Sequence, residues 1–204
     1  LDALGNILRS HERYGEARDY YAKAIELLGK PNKENWALYY SRGVCHERLK
    51  NWPDAEVDFK QALELAPDES LVLNYLGYSW VDQGRNLKQA MEYIRKAVKL
   101  KPDDGYYSDS LGWAYYRLGN IESAVEHLER AVELRPDDPV INDHLGDAYW
   151  RIGRKLEAKY QWQQSLTLKP DKDLIATIDK KMKYGLADAP ATKAANSSVQ
   201  KIAD

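Results

Sequence analysis

The side chains that could take part in chemistry are few in this sequence. Its four histidines are His11, His46, His127 and His144, and none has a partner at metal-ligand spacing. The lone cysteine, Cys45, is adjacent to His46, so on a helix the two side chains point to different faces. The spacing of these residues therefore predicts no metal site.

One pair comes closer to a site. His144 and Asp147 lie three residues apart on a predicted helix and could share a face as a metal or acid–base pair, although we favour a groove-lining or hydrogen-bonded histidine. The sequence contains no glycine-rich phosphate loop, nucleophile elbow or zinc motif. The paired carboxylates at 103–104 and 137–138 lie at predicted helix starts, where they cap free N–H groups. We therefore predict that this chain is not an enzyme and uses no cofactor.

Composition narrows the classes of partner. Thirty basic residues face 32 acidic ones, and this near-balance argues against nucleic acid as the main partner. No stretch of 18 apolar residues occurs, so we predict no membrane span. Tyrosine and tryptophan are abundant, with 15 and 6 residues against one phenylalanine. Such side chains suit surfaces that bind a protein while staying hydrated.

Small residues recur with a period of about 34 along the chain. The glycines of this series are spaced 34, 35 and 34 residues apart, at Gly43, Gly77, Gly112 and Gly146. The alanines follow at spacings of 35, 34 and 34 residues, at Ala55, Ala90, Ala124 and Ala158. Large residues and a closing proline complete each register, as in Leu111, Tyr115, Leu118, Leu128 and Pro136. This period is typical of an array of two-helix units.

The order L-G-x2-Y, A-x3-F/L/W-x2-A, P resembles the tetratricopeptide repeat. That resemblance implies an all-α fold, a right-handed superhelical solenoid of helix–turn–helix units with a C-terminal capping helix. We interpret each glycine of the first helix as packing against the alanine of the second, because small side chains let helices approach closely.

The pattern divides the chain into consecutive units. The predicted boundaries are a truncated first unit with an insertion (1–35), four full repeats (36–69, 70–104, 105–138 and 139–172), a capping helix (173–186) and a low-complexity tail (187–204). The incomplete first unit suggests a longer protein with further repeats upstream. In the capping helix we expect an apolar stripe at Leu174, Ile175, Ile178 and Met182, with Lys180, Lys181 and Lys183 as polar residues.

The resemblance also implies which residues bind a partner. In such repeats the second, fifth, ninth, twelfth and thirteenth positions of each unit line a concave groove. The predicted partner-binding residues are Tyr40, Arg48, Asn74, Tyr78, Asp109, Trp113, Tyr116, Arg117, Asp143, Asp147, Trp150 and Arg151. Tyrosine, tryptophan and arginine dominate binding energy at interfaces. Alternatively, Trp113 and Trp150 pack against the adjacent helix, and the arginines form a ladder with aspartates.

Two comparisons within the family refine the prediction. The lysine and asparagine clamp of repeats that bind chaperone tails is not present at the corresponding positions. The phrases NYLGYSWVDQG, SDSLGWAYYRLGN and HLGDAYWRIGRKLEA, between Leu73 and Pro170, look like the C-terminal repeats of large proteobacterial envelope proteins. Some of those are outer-membrane lipoproteins that act as adaptors of a carboxyl-terminal processing protease. The resemblance implies a bacterial protein of the periplasm or the outer membrane.

Together these features predict a non-enzymatic scaffold that binds a peptide or protein segment in its groove. Two alternatives remain open at this point. The chain could be the regulatory portion of a larger enzyme whose catalytic domain lies elsewhere, or it could be a self-assembly module that forms a homo-oligomer.

Overall fold

The computed structural model describes residues 1–187, and this part of the chain consists of α-helices joined by short turns. One 3-10 turn, Lys33–Asn35, lies within the predicted insertion. No β-strand occurs in this range. The helices are α1 Asp2–Ser10, α2 Tyr14–Leu27, α3 Trp36–Arg48, α4 Trp52–Leu65, α5 Ser70–Asp82, α6 Leu87–Leu100, α7 Gly105–Leu118, α8 Ile121–Leu134, α9 Pro139–Arg151, α10 Lys155–Thr167 and α11 Lys172–Tyr184. The all-α prediction is confirmed.

Each helix pair is built on a glycine that faces a large side chain. A Cβ on any of these glycines would come within 2.5–2.8 Å of that side chain, so the close contact requires glycine. The pairs are Gly5–Tyr21, Gly43–Phe59, Gly77–Ile94, Gly112–Leu128 and Gly146–Trp162. The predicted alanine is also close at two of these positions, because the same Cβ would lie 3.0 Å from the Ala90 carbonyl at Gly77 and 3.1 Å from the Ala158 carbonyl at Gly146. The missing Cβ makes room for the large residue four positions after the alanine.

Helix ends follow their local sequence. Asp138 accepts hydrogen bonds from the backbone N–H groups of Val140 and Ile141, with Pro139 as the first helical residue of α9. Asp104 caps α7 in the same way. The extra residue in the turn between α5 and α6 is accommodated by two left-handed residues, Gly84 and Asn86.

The helices divide into two compact units, and the division falls within α5. The first unit comprises Leu1–Leu76, and its core includes the buried residues Leu8, Tyr21 and Cys45. The second unit begins at Gly77, and Trp80 and Trp162 are among its largest fully buried side chains.

The last described helix, α11, closes the second unit as a capping helix. Ile178 is fully buried, whereas Ile175 is 38% exposed. Lys181, one of the predicted polar residues of this helix, points inward and binds two aspartates of α9. Most of the predicted tail, residues 188–204, lies outside the described residues. Within residues 1–187 no helix is long and apolar enough to cross a membrane.

Candidate interaction surfaces on the first helices

All twelve predicted partner-binding residues lie on the first helices of the predicted repeats, namely α3, α5, α7 and α9. In the first unit, Tyr40 of α3 belongs to an aromatic cluster. Its ring centroid lies 5.8 Å from that of Tyr75 in an edge-on arrangement, 5.9 Å from that of Phe59 and 6.1 Å from that of Trp36. Such ring pairs stabilise a surface as well as offering an apolar contact. Tyr40 is half-buried in this cluster.

Arg48 and Asn74, the two other predicted residues of the compact unit Leu1–Leu76, differ in exposure. Arg48 is exposed, and its Nε lies 3.5 Å from the Glu47 carboxylate. Glu47 also accepts a hydrogen bond from the Tyr75 hydroxyl at 3.1 Å. Asn74 is half-buried, and its Oδ1 has no hydrogen-bond partner among residues 1–187. Arg48 is therefore the residue of this unit that is best placed to meet a partner.

In the second unit, Tyr78 and Asp82 of α5 face α7. Burial, together with the nearby carboxylates of Asp109 and Asp82, raises the pKa of the Tyr78 phenol. Arg117 of α7 reaches back and donates to the Asp82 carboxylate at 3.1 Å and to its backbone carbonyl at 3.0 Å. This pair is the only predicted arginine–aspartate contact seen in the part of the chain that the structure describes.

A stack of three rings lies along the predicted binding face of α7. The Trp113 ring is 4.8 Å from that of Tyr116 and nearly parallel to it, and 4.0 Å from the imidazole of His144 on α9. Both Trp113 and Tyr116 are half-buried, which leaves part of each ring accessible. The alternative that Trp113 packs on the adjacent helix is thus true for one face of its ring.

His144 is held by Asp109 rather than by Asp147. Its Nδ1 lies 2.8 Å from the Asp109 carboxylate, and both side chains are 9% exposed. Burial lowers the pKa of His144, but the charge and hydrogen bond of Asp109, with Asp143 and Asp147 nearby, raise it by more. The net effect is a pKa raised above the ordinary histidine value, and the imidazole stacks on the Trp113 ring.

Asp143 and Asp147 share one cation, the Lys181 ammonium from α11. The Lys181 Nζ lies 2.7 Å from a carboxylate oxygen of each aspartate, and both aspartates are buried. Asp147 also accepts a hydrogen bond at 3.0 Å from the Trp162 indole. The two carboxylates therefore link α11 to α9 and α10, and they hold little free capacity for a ligand.

Trp150 and Arg151, at the end of α9, are covered by residues that follow α11. Gly185 lies directly against the Trp150 indole. Arg151 donates from Nη1 to the Ala187 carbonyl at 2.7 Å and from Nε to the Tyr116 hydroxyl at 3.2 Å. Lys155 lies 3.8 Å from the centroid of the Trp150 ring.

Sequence reasoning missed Lys181 and Gly185. Both follow Ile178 on one face of α11, at spacings of three and seven residues. Lys181 also lies 34 residues after Asp147, one repeat period. The 34-residue period could therefore have indicated that Lys181 lies beside Asp147.

These surfaces combine paired buried charges with partly accessible aromatic rings and arginines. Among residues 1–187, no group of three or more histidine, cysteine, aspartate or glutamate side chains could hold a metal ion. The buried charges are paired with one another, whereas aromatic rings and arginines remain partly accessible on α3 and α7.

Comparison with known proteins identifies the repeat. Models of the tetratricopeptide repeat match residues 1–29, 36–69 and 82–104, and a TPR repeat model matches residues 112–153. A TPR repeat-containing protein of Pseudomonas aeruginosa, PA4667, is 35% identical over 99 residues, which cover 48% of this chain and 17% of that protein. The CTR9 homolog of Arabidopsis thaliana is 33% identical over 110 residues, 52% of this chain and 10% of that protein.

The chain thus spans less than a fifth of the length of these relatives. Among solved structures, TTC0263, a thermophilic TPR protein of Thermus thermophilus, superposes with a TM-score of 0.72 at 21% identity, over 89% of this chain and 97% of that one. YrrB, a TPR protein with an unusual peptide-binding site, gives a TM-score of 0.62 at 21% identity, over 88% and 90% of the two chains.

Repeat period, helix pairing, matching repeat models and structural neighbours agree. The chain belongs to the tetratricopeptide-repeat family, whose fold serves as a scaffold for protein–protein interaction.

Proposed function

We propose that this chain captures a peptide segment of another protein on the exposed face of α7. The residues that would contact the segment are Tyr106, Trp113, Tyr116 and Arg117, which lie at helical spacing on one side of the helix. The opposite side of α7 is buried, with Gly112 and Leu118 in the core of the unit.

The observation that carries the proposal is the accessible aromatic and arginine character of this face. Tyr106 is 45% exposed, with the Arg135 guanidinium 4.7 Å from its ring centroid. The Arg117 side chain is 34% exposed. Such residues provide apolar anchors and donors for a peptide backbone or carboxylate. The similar fold of YrrB, with its peptide-binding site, supports a peptide as the class of partner.

Selection from a random peptide library displayed on phage tests the proposal. We expect enriched peptides, and we expect Tyr116→Ala and Arg117→Ala each to weaken their binding by about tenfold or more, as truncation of an interface anchor does. Tyr160→Ala is the matched control, because Tyr160 is 60% exposed on α10, a second helix. Peptides that lose as much affinity for the Tyr160 variant, or no enrichment at all, would refute the α7 face.

Self-association is a second candidate, because α1 exposes a row of apolar side chains. Leu4 is 41% exposed and Ile7 55% exposed, three residues apart on one helix face. Light scattering over a dilution series should then show an oligomer that Ile7→Glu dissociates. Val57→Glu on α4, where Val57 is 65% exposed, should leave the oligomer intact. A monomer at every concentration excludes this candidate.

A further inference from the structure

Trp150 and Arg151, two predicted partner-binding residues, are already in contact with the chain's own backbone. The chain leaves α11 at Tyr184 and passes over the end of α9. We call Gly185–Ala187 the cover segment. Gly185 lies on the Trp150 indole, and the Ala187 carbonyl accepts a hydrogen bond from Arg151 at 2.7 Å. The cover segment is thus held by an aromatic ring at one residue and by a guanidinium two residues later.

Glycine is required where the segment crosses the ring. Gly185 has φ 73° and ψ −172°, a conformation that residues with a Cβ rarely adopt. A Cβ at this position would also overlap the Cζ2 atom of Trp150. The backbone itself therefore contacts the indole, and any other residue would lift the segment away from it.

The ring that receives Gly185 is fixed in place. On α10, Lys155 lies 3.8 Å from the ring centroid of Trp150 and donates to the Trp150 carbonyl at 2.8 Å. The Trp162 ring lies 5.3 Å away. The indole is thus a preformed surface, and preformed surfaces bind at a lower entropic cost.

The start of the cover segment is fixed as well. Lys181 ties α11 to the buried aspartates of α9, one helical turn before Gly185. The Gly185 N–H still donates to the Lys181 carbonyl at 2.8 Å. Packing of α11 against α9 therefore positions the cover segment next to Trp150 and Arg151.

We propose that the cover segment occupies a peptide-binding site in cis, and that an extended peptide with the same backbone chemistry must displace it. The occupant would present a glycine to Trp150 and, two residues later, a backbone carbonyl to Arg151. This inference rests on the proposed function, because it assigns a second peptide contact to the same family of helix faces. It adds that the site on α9 is self-inhibited, whereas the face of α7 is open.

The tether sets the size of the effect. A short linker gives an attached segment an effective concentration of roughly millimolar. A free peptide that binds the uncovered site with a Kd of about 0.1 mM would therefore bind the covered site about tenfold more weakly.

The test uses an acetylated and amidated peptide of residues 182–187, Met-Lys-Tyr-Gly-Leu-Ala, labelled for fluorescence anisotropy. Gly185→Val in the full chain should displace the cover segment, and the peptide should bind this variant at least about tenfold more tightly than the wild type. Gly153→Val is the matched control, because Gly153 also has a positive φ, of 86°, but a Cβ added there would meet no atom within 4 Å. That variant should bind the peptide as weakly as the wild type.

Two further arms identify the contacts. A peptide with valine in place of glycine should bind neither chain, and Arg151→Met in the Gly185→Val background should remove the gained affinity. Equal affinity of the original peptide for the wild type and the Gly185→Val variant overturns the proposal, as does the absence of binding to that variant.

A measurement that avoids the glycine substitution guards against misfolding. In the otherwise unchanged chain, Arg151→Met removes the donor to the Ala187 carbonyl, so it should lower the backbone 15N order parameters of Leu186 and Ala187 and leave those of α11 up to Lys181 unaffected. Unchanged order parameters at both residues refute the cover segment. If library peptides bind α7 while the cover segment fails these tests, only the inference about the cover segment is refuted. If the cover segment passes these tests while no library peptide binds α7, only the proposal for the α7 face is refuted.

Discussion

The same two positions are open in one repeat and covered in the next. At the end of α7, Arg117 is exposed and donates to Asp82 at the end of α5, whereas Tyr116 is half-buried and accepts a hydrogen bond from Arg151. At the end of α9, Trp150 and Arg151 contact Gly185 and Ala187. The difference teaches that the repeat pattern places the residues, whereas the neighbouring helix decides whether a partner can reach them.

The largest effect is expected from the lysine that docks α11. Lys181→Met leaves Asp143 and Asp147, which are 5% and 6% exposed, without the ammonium to which both are bound. Breaking such a buried pair costs about 3–5 kcal/mol, so the free energy of unfolding in urea should fall by about that amount. Lys183→Met, on the exposed side of α11, should change it by less than about 0.5 kcal/mol. A loss below about 1 kcal/mol for Lys181→Met would show that the aspartates do not need the lysine.

A smaller and more uniform effect is expected in the cores of both repeats. In Gly146→Ala and Gly112→Ala, the new Cβ would lie 2.5 Å from Trp162 and 2.6 Å from Leu128. Overpacking of this kind costs about 1–3 kcal/mol of unfolding free energy, measured by denaturant titration. The control is Gly15→Ala in α2, which meets no atom within 4 Å and should stabilise by about 0.5–1 kcal/mol. A neutral result at Gly146 and Gly112 would contradict the packing described for all pairs.

The contact between α7 and α9 should depend on pH. The folded-state pKa of His144 is raised above its ordinary value of 6.5, so its contribution is fully present below pH 6.5 and is lost as the pH rises through the folded pKa. Asp109→Asn removes the main group that raises the pKa of His144, so burial opposes only the weaker influence of Asp143 and Asp147. We expect a loss of about 1.5–3 kcal/mol at pH 5.5, as for a hydrogen bond to a charged group, and a smaller loss at pH 8. Urea titrations at both pH values, with imidazole titration by NMR, would check this, and an equal loss at both would contradict it.

The smallest effect on the free energy of unfolding is expected at Arg117, at the end of α7. Arg117→Ala removes an ion pair to Asp82 whose side chains are 34% and 61% exposed. Exposed pairs contribute about 0.2–1 kcal/mol, and salt screens them. The variant should therefore unfold almost like the wild type in 0.5 M salt while losing peptide affinity. A stability loss above about 1 kcal/mol would mean that Arg117 is structural rather than available for binding.

The helices and their pairing could be predicted because their signal is local and repeated. Caps such as Asp138, followed by Pro139, and the 34-residue period of small residues each act within one unit. The large side chain nearest each glycine was not predicted, because both the alanine and the large residue four positions later lie on the buried face of the second helix. Sequence spacing cannot say which of the two fills the gap.

The partners of the predicted binding residues were harder to predict, because they come from other helices, about one repeat period away in the sequence. Asp109 meets His144 across one repeat, and Asp143 meets Lys181 from α11. Charge alone suggested that arginines would bind these aspartates. Instead, Asp109 binds a histidine of α9 and Asp143 binds a lysine of α11.

The single thiol has a practical consequence for every experiment above. Cys45 has no exposed surface, and burial raises its pKa to about 11. Thiolate, the reactive form, is therefore scarce at neutral pH, and reagents cannot reach the sulfur in the native state. A cysteine engineered at any solvent-facing position can be tagged with a maleimide dye or spin probe without first removing the natural one. Distances within either unit thus become measurable in an otherwise native chain.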